Sequence, residues 1–363
     1  MANHSPFPII SVEGDARQRG CQYGSQCKKL IEEALSLYRK SFKVDSNLDW
    51  DPTLKLGRKF IPFIEEYDPM GMEEMRGIAE GSGRTLDEIL LLNVRTELSL
   101  LAQAGGLEEG CTAVAATPDA TASKHLLLAQ NWDWKPSTQR ITVILKEEQK
   151  DGPNVVQLVE AGRIGEIGFN SAGIGVLANV LTSDKWRLGV PMHIILHKIL
   201  NAEGWSDAML AVLAVKRASA GNYLIGYVGG EAVDIEAAPE DYNVIWPDGG
   251  IITHANHFAV ANPNIRDLMA PTHPWSLTHE YRAAKLMAKE RGNISVAVIQ
   301  RILRDHLDKP YSVCRHPDTR LDESLRTQTN AAIIIDLNEK TLCIAKGPPC
   351  ENEFVTLTFE DIM

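Results

Sequence analysis

The chain has 363 residues, 44% hydrophobic and 23% charged, with a formal net charge of −11 and a pI near 5.4. That balance suits a globular protein and excludes a basic footprint for nucleic acid or an anionic membrane surface. No apolar run approaches the roughly 20 residues that span a bilayer.

Residues 1–10 lack a cationic region followed by a long apolar core, so no secretory leader is expected. Six cysteines, at 21, 27, 111, 314, 343 and 350, are too sparse for a disulfide scaffold and form no CxxC pair. A reducing cytoplasm is therefore expected, with no metal and no cofactor.

In chain order, a short strand at Pro8–Val12 precedes a helix-rich stretch. Leu30, Ile31, Ala34, Leu35, Leu37 and Tyr38 recur at helical spacing between Gln26 and Phe42. Met72–Gly81 reads as a second helix, closed by Gly81 and Gly83. Thr85 with Glu88 three residues later forms a capping box that opens a helix through Ile89–Leu92. Gly105-Gly106 stops the helical pattern, and Glu108-Glu109 leads into Gly110-Cys111.

Beyond Cys111 the pattern turns to short strands. These are expected at Thr112–Ala116, Leu126–Asn131, Ile141–Leu145, Val155–Val159 and Ile174–Val180. Helices are expected at Met192–Leu200 and Ser206–Val215, then strands at Tyr223–Val228, Val233–Ala237 and Ile251–Thr253. Two amphipathic helices, Leu277–Lys289 and Val296–Leu307, precede strands at Ala331–Asp336, Thr341–Ala345 and Phe354–Phe359. Strand clusters interrupted by helix pairs predict a layered α+β protein with sheets inside and helices outside.

The change of character at Gly110-Cys111 invites one chemistry. The Cys111 thiol attacks the Gly110 carbonyl, and water resolves the thioester. Glycine before the cut tolerates a strained backbone. The cut frees an α-amine titrating near ~7.7–8.0, which can take the thiol's proton, so one residue supplies nucleophile and base. Taken alone the dipeptide is weak, since a free cysteine is most often buried filler.

The wider pattern is more specific. Glu109-Gly110-Cys111-Thr112, followed by Gln130-Asn131-Trp132-Asp133, resembles the isopenicillin N acyltransferase family of N-terminal-nucleophile enzymes. Met75–Gly81 and Leu92–Glu97 upstream are similar to the same family, as are Gly168–Gly173, Gly189-Val190-Pro191, Thr253–His257 and the Cys314-Arg315 to Arg326 region downstream.

The resemblance implies a four-layered αββα N-terminal-nucleophile (Ntn) hydrolase fold. It also implies a precursor cut into an α chain (residues 1–110) and a β chain (residues 111–363) that together form one composite globule. Carried over, Cys111 is the nucleophile, Asp133 holds its amino group, Asn256 donates to the oxyanion and Arg326 favours the thiolate. Arg95 and Glu97 would orient the linker before Cys111.

Three departures stand out: Glu109 where the family has an aspartate, a longer connection from Cys111 to Asp133, and Leu325 where the penicillin-making member has a serine before its arginine. The expected reaction is hydrolysis of a linear amide of a small acyl or amino-acyl group, or its transfer to an amine. The alternatives are acyl-CoA-dependent N-acyl transfer, with CoA thioester only as substrate, and a non-catalytic binding relative. The expected partners are a small-molecule amide and the two chains of one precursor; homo-oligomerisation is left open.

Simpler readings stand beside these. Asp133 reads equally as a turn aspartate, and Arg326 as an ion-pair partner of Glu323 or Asp322. Arg95 with Glu97 reads as an ordinary helix pair. His254 and His257 have a spacing that mimics a metal site but lack an evident further ligand. Gly162, Gly165 and Gly168 precede strand-like sequence rather than a helix, which favours hairpin turns over a nucleotide loop.

Overall fold

The computed structural model describes residues 5–102 and 110–359. The expected stop at Gly105-Gly106 and the acidic linker Glu108-Glu109 lie outside the described residues. Fourteen strands run in chain order among the described residues: β1 (Ile9–Gly14), β2 (Thr112–Ala116), β3 (Leu127–Trp134), β4 (Thr142–Gln149), β5 (Val155–Glu160), β6 (Ile167–Asn170), β7 (Ile174–Val180), β8 (Gly221–Tyr227), β9 (Glu231–Ala237), β10 (Tyr242–Ile245), β11 (Ile251–His254), β12 (Gln328–Asp336), β13 (Thr341–Lys346) and β14 (Val355–Thr358).

They form two sheets. One has eight strands in the order β1-β4-β5-β6-β7-β8-β9-β10, the other six in the order β11-β2-β3-β12-β13-β14. All pairings are antiparallel except β1 with β4, which is parallel.

Strand alternation explains the layering. In the smaller sheet Ala113, Ala115, Leu128, Ile333, Ile335 and Ile344 point to one side and join the core shared with the larger sheet. Their neighbours Val114, Ala116, Ala129, Ile334, Cys343 and Ala345 point the other way, onto Ala283 and Met287 of helix Trp275–Lys289 and Ile299 and Leu303 of helix Val296–Leu303. Successive side chains of a strand face opposite sides, so apolar residues at every position mark a sheet covered on both faces. Each valine, leucine, isoleucine or methionine among them contributes about 1.5–3 kcal/mol on burial.

The larger sheet is covered by the amino-terminal helices and by helix Met192–Leu200. The order is therefore helix, sheet, sheet, helix, the αββα layering that was expected. Gly175 and Gly226, paired on β7 and β8, mark the closest approach of the sheets. A Cβ at Gly175 would lie 2.7 Å from Leu128 Cδ1 of the opposite sheet, so a larger residue there would force the leucine to move.

The segment before residue 110 is built into this body. β1 adds to the edge of the larger sheet through β4. Helices Ala16–Gln26 and Pro69–Ser82 cross at Gly20, Gly24, Gly77 and Gly81; a Cβ at Gly77 would sit 2.3 Å from Arg17 O. The expected helix over Gln26–Phe42 forms as Lys28–Ser46, and a further helix, Ala16–Gln26, precedes it, the two meeting at the buried Cys27. The capping box at Thr85 and Glu88 forms as expected, and Gly83 closes the preceding helix with φ +70°. No helix of the described residues is long and apolar enough to cross a membrane.

Candidate active site

Cys111 sits at the mouth of β2, which pairs with β3 in the register Thr112↔Asn131 to Ala116↔Leu127. The extra residues of the long connection lie at the hairpin tip, where Ala122 donates to Ile294 O at 2.9 Å, so Asp133 keeps its register. The thiol is 2% exposed and points to the main-chain carbonyl of Asp133, 3.8 Å away. The Cys111 carbonyl accepts from Asn179 Nδ2 of β7 at 3.2 Å, which ties the two sheets together at Cys111.

Asp133 has no exposed surface. Opposite it the register of β12 slips by one residue between Thr329 and Ala331, a bulge that turns Thr329 Oγ1 onto Asp133 Oδ1 at 2.6 Å. Burial pushes the Asp133 carboxyl up to about 8, against the opposing pull of the Arg315 guanidinium and the Thr329 hydroxyl.

Arg315 is the cation of the site. It is 2% exposed; its Nε donates to Thr327 Oγ1 at 2.7 Å and its main-chain N–H to Thr329 Oγ1 at 3.0 Å. The guanidinium carbon lies 5.2 Å from the centre of the Trp275 ring and 5.1 Å from that of Tyr311. It also fills the place of a side chain at position 110: a Cβ there would be 2.4 Å from Arg315 Nη1. A side chain at position 110 would therefore push the guanidinium aside.

On the other side of the same peptide, His279 Nδ1 lies 3.1 Å from Gly110 O, and its Nε2 lies 2.9 Å from Tyr311 O. Burial, with Arg315 second, pushes His279 down to about 4, so the ring is neutral at pH 7 and has one N–H to donate.

Asn256 is fully buried at the end of β11. Its Nδ2 donates to Val180 O at 3.0 Å, next to the Asn179 that holds Cys111; its Oδ1 has no hydrogen-bond partner among the described residues. The flanking histidines do not form a shared metal site. His254 Nε2 meets Glu236 Oε1 at 2.8 Å, while His257 Nε2 meets Glu280 Oε2 at 2.8 Å.

Arg95 and Glu97 do not pair with each other in the manner of a helix ion pair. Arg95 stacks between Tyr38 and Trp134, 5.0 Å from each ring, and approaches Glu160 at 3.9 Å. Glu97 Oε1 accepts from Met192 N and Ser219 Oγ, both at 2.8 Å. Arg95 thus packs on Trp134 of β3, the residue after Asp133, while Glu97 holds the start of helix Met192–Leu200.

Arg326 lies elsewhere. Its guanidinium donates to Leu321 O at 2.9 Å and Thr319 O at 3.4 Å, and the side chain borders a surface groove with Lys135, Arg140 and Glu323. The arginine against Gly110 is Arg315, which corrects the assignment made from sequence; the residue before it is Cys314, so Leu325 loses its bearing on the site. Its signal was present in the Cys314-Arg315 motif. What the chain alone withheld is which arginine of one loop folds inward. His279 and Asn179 were missed because a helix and a strand each hid them in a regular pattern.

The site's order along the chain can now be set beside known sequences. Residues 120–349 match the family described as acyl-coenzyme A:6-aminopenicillanic acid acyl-transferase, well over half of the chain. The chain belongs to this family.

The acyltransferase-family chain is 28% identical, over 97% of its own length and 96% of the relative's, to the 40 kDa form of acyl-coenzyme A:6-aminopenicillanic-acid-acyltransferase from Emericella nidulans. Among solved structures it is similar to conjugated bile acid hydrolase of Clostridium perfringens. That comparison has 13% identity, a TM-score of 0.47 and coverage of 69% of this chain and 92% of that one. Penicillin V acylase of Agrobacterium tumefaciens gives 11% identity, a TM-score of 0.42 and coverage of 69% and 88%.

Proposed function

We propose that this acyltransferase-family chain is a self-cleaving cysteine amidohydrolase or acyltransferase, cut between Gly110 and Cys111. The observation that carries the reading is the surround of the Gly110 carbonyl. A buried thiol follows it, an arginine fills the space above it, and a neutral histidine lies at 3.1 Å from its oxygen.

In the cut, Cys111 Sγ bonds to the Gly110 carbonyl carbon and the C–N bond to Cys111 breaks, its nitrogen taking up a proton. Water then splits the thioester, leaving the Gly110 carboxylate, a free thiol and a free α-amine. His279 donates to the oxygen as charge develops on it, and Arg315 supplies positive charge to the thiolate and the intermediate.

In turnover, the α-amine takes the thiol proton and the thiolate attacks a linear amide of a small acyl or amino-acyl group. The amine leaves protonated, with Asn256 as oxyanion donor and Asp133 holding the new amino group. Water resolves the acyl-enzyme in hydrolysis, and an amine resolves it in transfer. The name of the matched family favours acyl-CoA-dependent N-acyl transfer as the second reading.

Intact-mass measurement of the purified protein tests the first claim. Two chains that divide at Gly110-Cys111 are expected. A single chain whose Cys111 reacts with no electrophile would overturn the enzyme reading. Product partition from candidate amides, with and without an amine acceptor, separates hydrolysis from transfer, and a CoA thioester donor tests the second reading.

A further inference from the structure

Immediately beyond the active-site arginine, four donors converge: His306, Cys314, His316 and Cys350, with ligand atoms all within 4.8 Å of one another. We propose that these residues bind one zinc(II) ion in a closed structural site, next to the site described above.

The distances fit the ion. Bonds of about 2.0–2.1 Å to nitrogen and about 2.3 Å to sulfur give a tetrahedron with edges of roughly 3.3–3.8 Å. His316 Nε2 lies 3.2 Å from His306 Nε2, 3.6 Å from Cys314 Sγ and 3.4 Å from Cys350 Sγ. Two thiolates and two imidazoles are the donor set that selects zinc over harder ions, and two thiolates balance its charge. Neither cysteine is in a disulfide.

The surroundings hold the donors in place. Asn131 Nδ2 donates to Leu303 O and Val313 O, at 2.9 and 2.7 Å, and so fixes both ends of the loop that carries His306 and leads into Cys314. Arg304 Nε donates to Pro349 O at 2.8 Å and brings the Cys350 turn against that loop. Glu351 Oε1 stands 3.3 Å from His316 Nδ1, the outer partner that orients a ligating imidazole. Cys314 and His316 are buried, whereas His306 and Cys350 reach the surface and give the ion a way in.

The donors were hidden in the sequence because Cys350 is 34 residues beyond His316 and no short cysteine pair announces them. The inference does not rest on the cysteine-nucleophile reading.

The test uses the full chain carrying Cys111→Ala, so that the reactive thiol does not compete for metal. Zinc(II) is titrated against a chromophoric chelator under reducing conditions, and cobalt(II) is used as a spectroscopic probe. One zinc per chain is expected, with the visible bands of tetrahedral thiolate-bound cobalt and a melting temperature that falls on chelation.

Cys350→Ser, whose site is exposed, should abolish both signals while circular dichroism shows a folded chain. Glu351→Gln should weaken zinc binding by about 10–100-fold. The proposal is overturned by a reduced chain that loses all zinc to the chelator, by zinc retained in Cys350→Ser, or by a Cys314–Cys350 disulfide in protein kept free of reductant.

Discussion

Removing the thiol in Cys111→Ala should leave a folded single chain of full mass, and normal processing of that variant would refute the assignment of the nucleophile. The two arginines give a sharper comparison. Arg315→Ala removes the cation beside Gly110 and should slow the cut by roughly 10²–10³-fold, the typical loss for one preorganised donor. Arg326→Ala, whose guanidinium bonds among the described residues go to Leu321 O and Thr319 O, should be processed at nearly the parent rate. Time-resolved gels of both variants decide this. Asp133 is held above its ordinary carboxyl value of 3.8, at about 8. The folded state therefore binds a proton that the unfolded state has lost between those values, and stability falls as pH rises from about 4 to about 8. In the Cys111→Ala background, Asp133→Asn should raise the melting temperature relative to its parent by a margin that grows over that window and then levels. Residue identity made Cys111, Asp133 and Asn256 legible in the sequence, since each sits in a short motif. It did not separate Arg315 from Arg326, because the choice depends on the aromatic slot of Trp275 and Tyr311, formed by segments far apart in the chain.

The helix pair Ala16–Gln26 and Pro69–Ser82 is set close by its glycines. Gly24 faces Ile78 O, which an added Cβ would meet at 2.3 Å. Gly24→Ala should therefore cost about 1–3 kcal/mol of stability, measured by denaturant unfolding, although alanine favours the helix itself. Helix Met192–Leu200 is docked to Pro69–Ser82 by charge. His197 Nδ1 meets Asp68 Oδ2 at 2.5 Å and its Nε2 lies 3.6 Å from Glu74, which also meets Arg19 at 3.1 Å. Against the desolvation of burial, Asp68 and Glu74 hold His197 at about 10, above its ordinary 6.5. A histidine raised in this way stabilises fully below about 6.5 and loses that contribution as pH rises through about 10. His197→Gln should cost about 3–5 kcal/mol at pH 6, the typical loss on breaking a buried pair, and much less at pH 10. At this scale the pattern was readable wherever periodicity was strong: Ile174–Val180 and Met192–Leu200 fall where expected. Helices Trp50–Gly57 and Ile61–Tyr67 and strand β10 are short, with too few apolar repeats to show a period.

For the whole molecule, one core runs through both halves, with Ile31, Phe60 and Met75 from before the proposed cut packed in the same cluster as Val143, Leu158 and Ile195 from after it. The cut fragments should coelute on a sizing column under native conditions and separate only in denaturant. The layering was legible because strand clusters and helix pairs alternate along the chain. The parallel place of β1 beside β4 was not, since residues 9–14 pair with 144–149, across the entire helical segment. The contacts at Gly110 O carry a consequence for timing during synthesis. His279 lies 169 residues after Gly110, so at about 5–20 residues per second a ribosome needs roughly 8–34 s to deliver it. Arg315 follows later still. A nascent chain that has exposed Gly110-Cys111 thus lacks the groups that would attend its own scission. On the proposed self-cleavage, only a chain translated almost to its end, and folded back onto that peptide, is equipped to break it, so truncated products should stay inert.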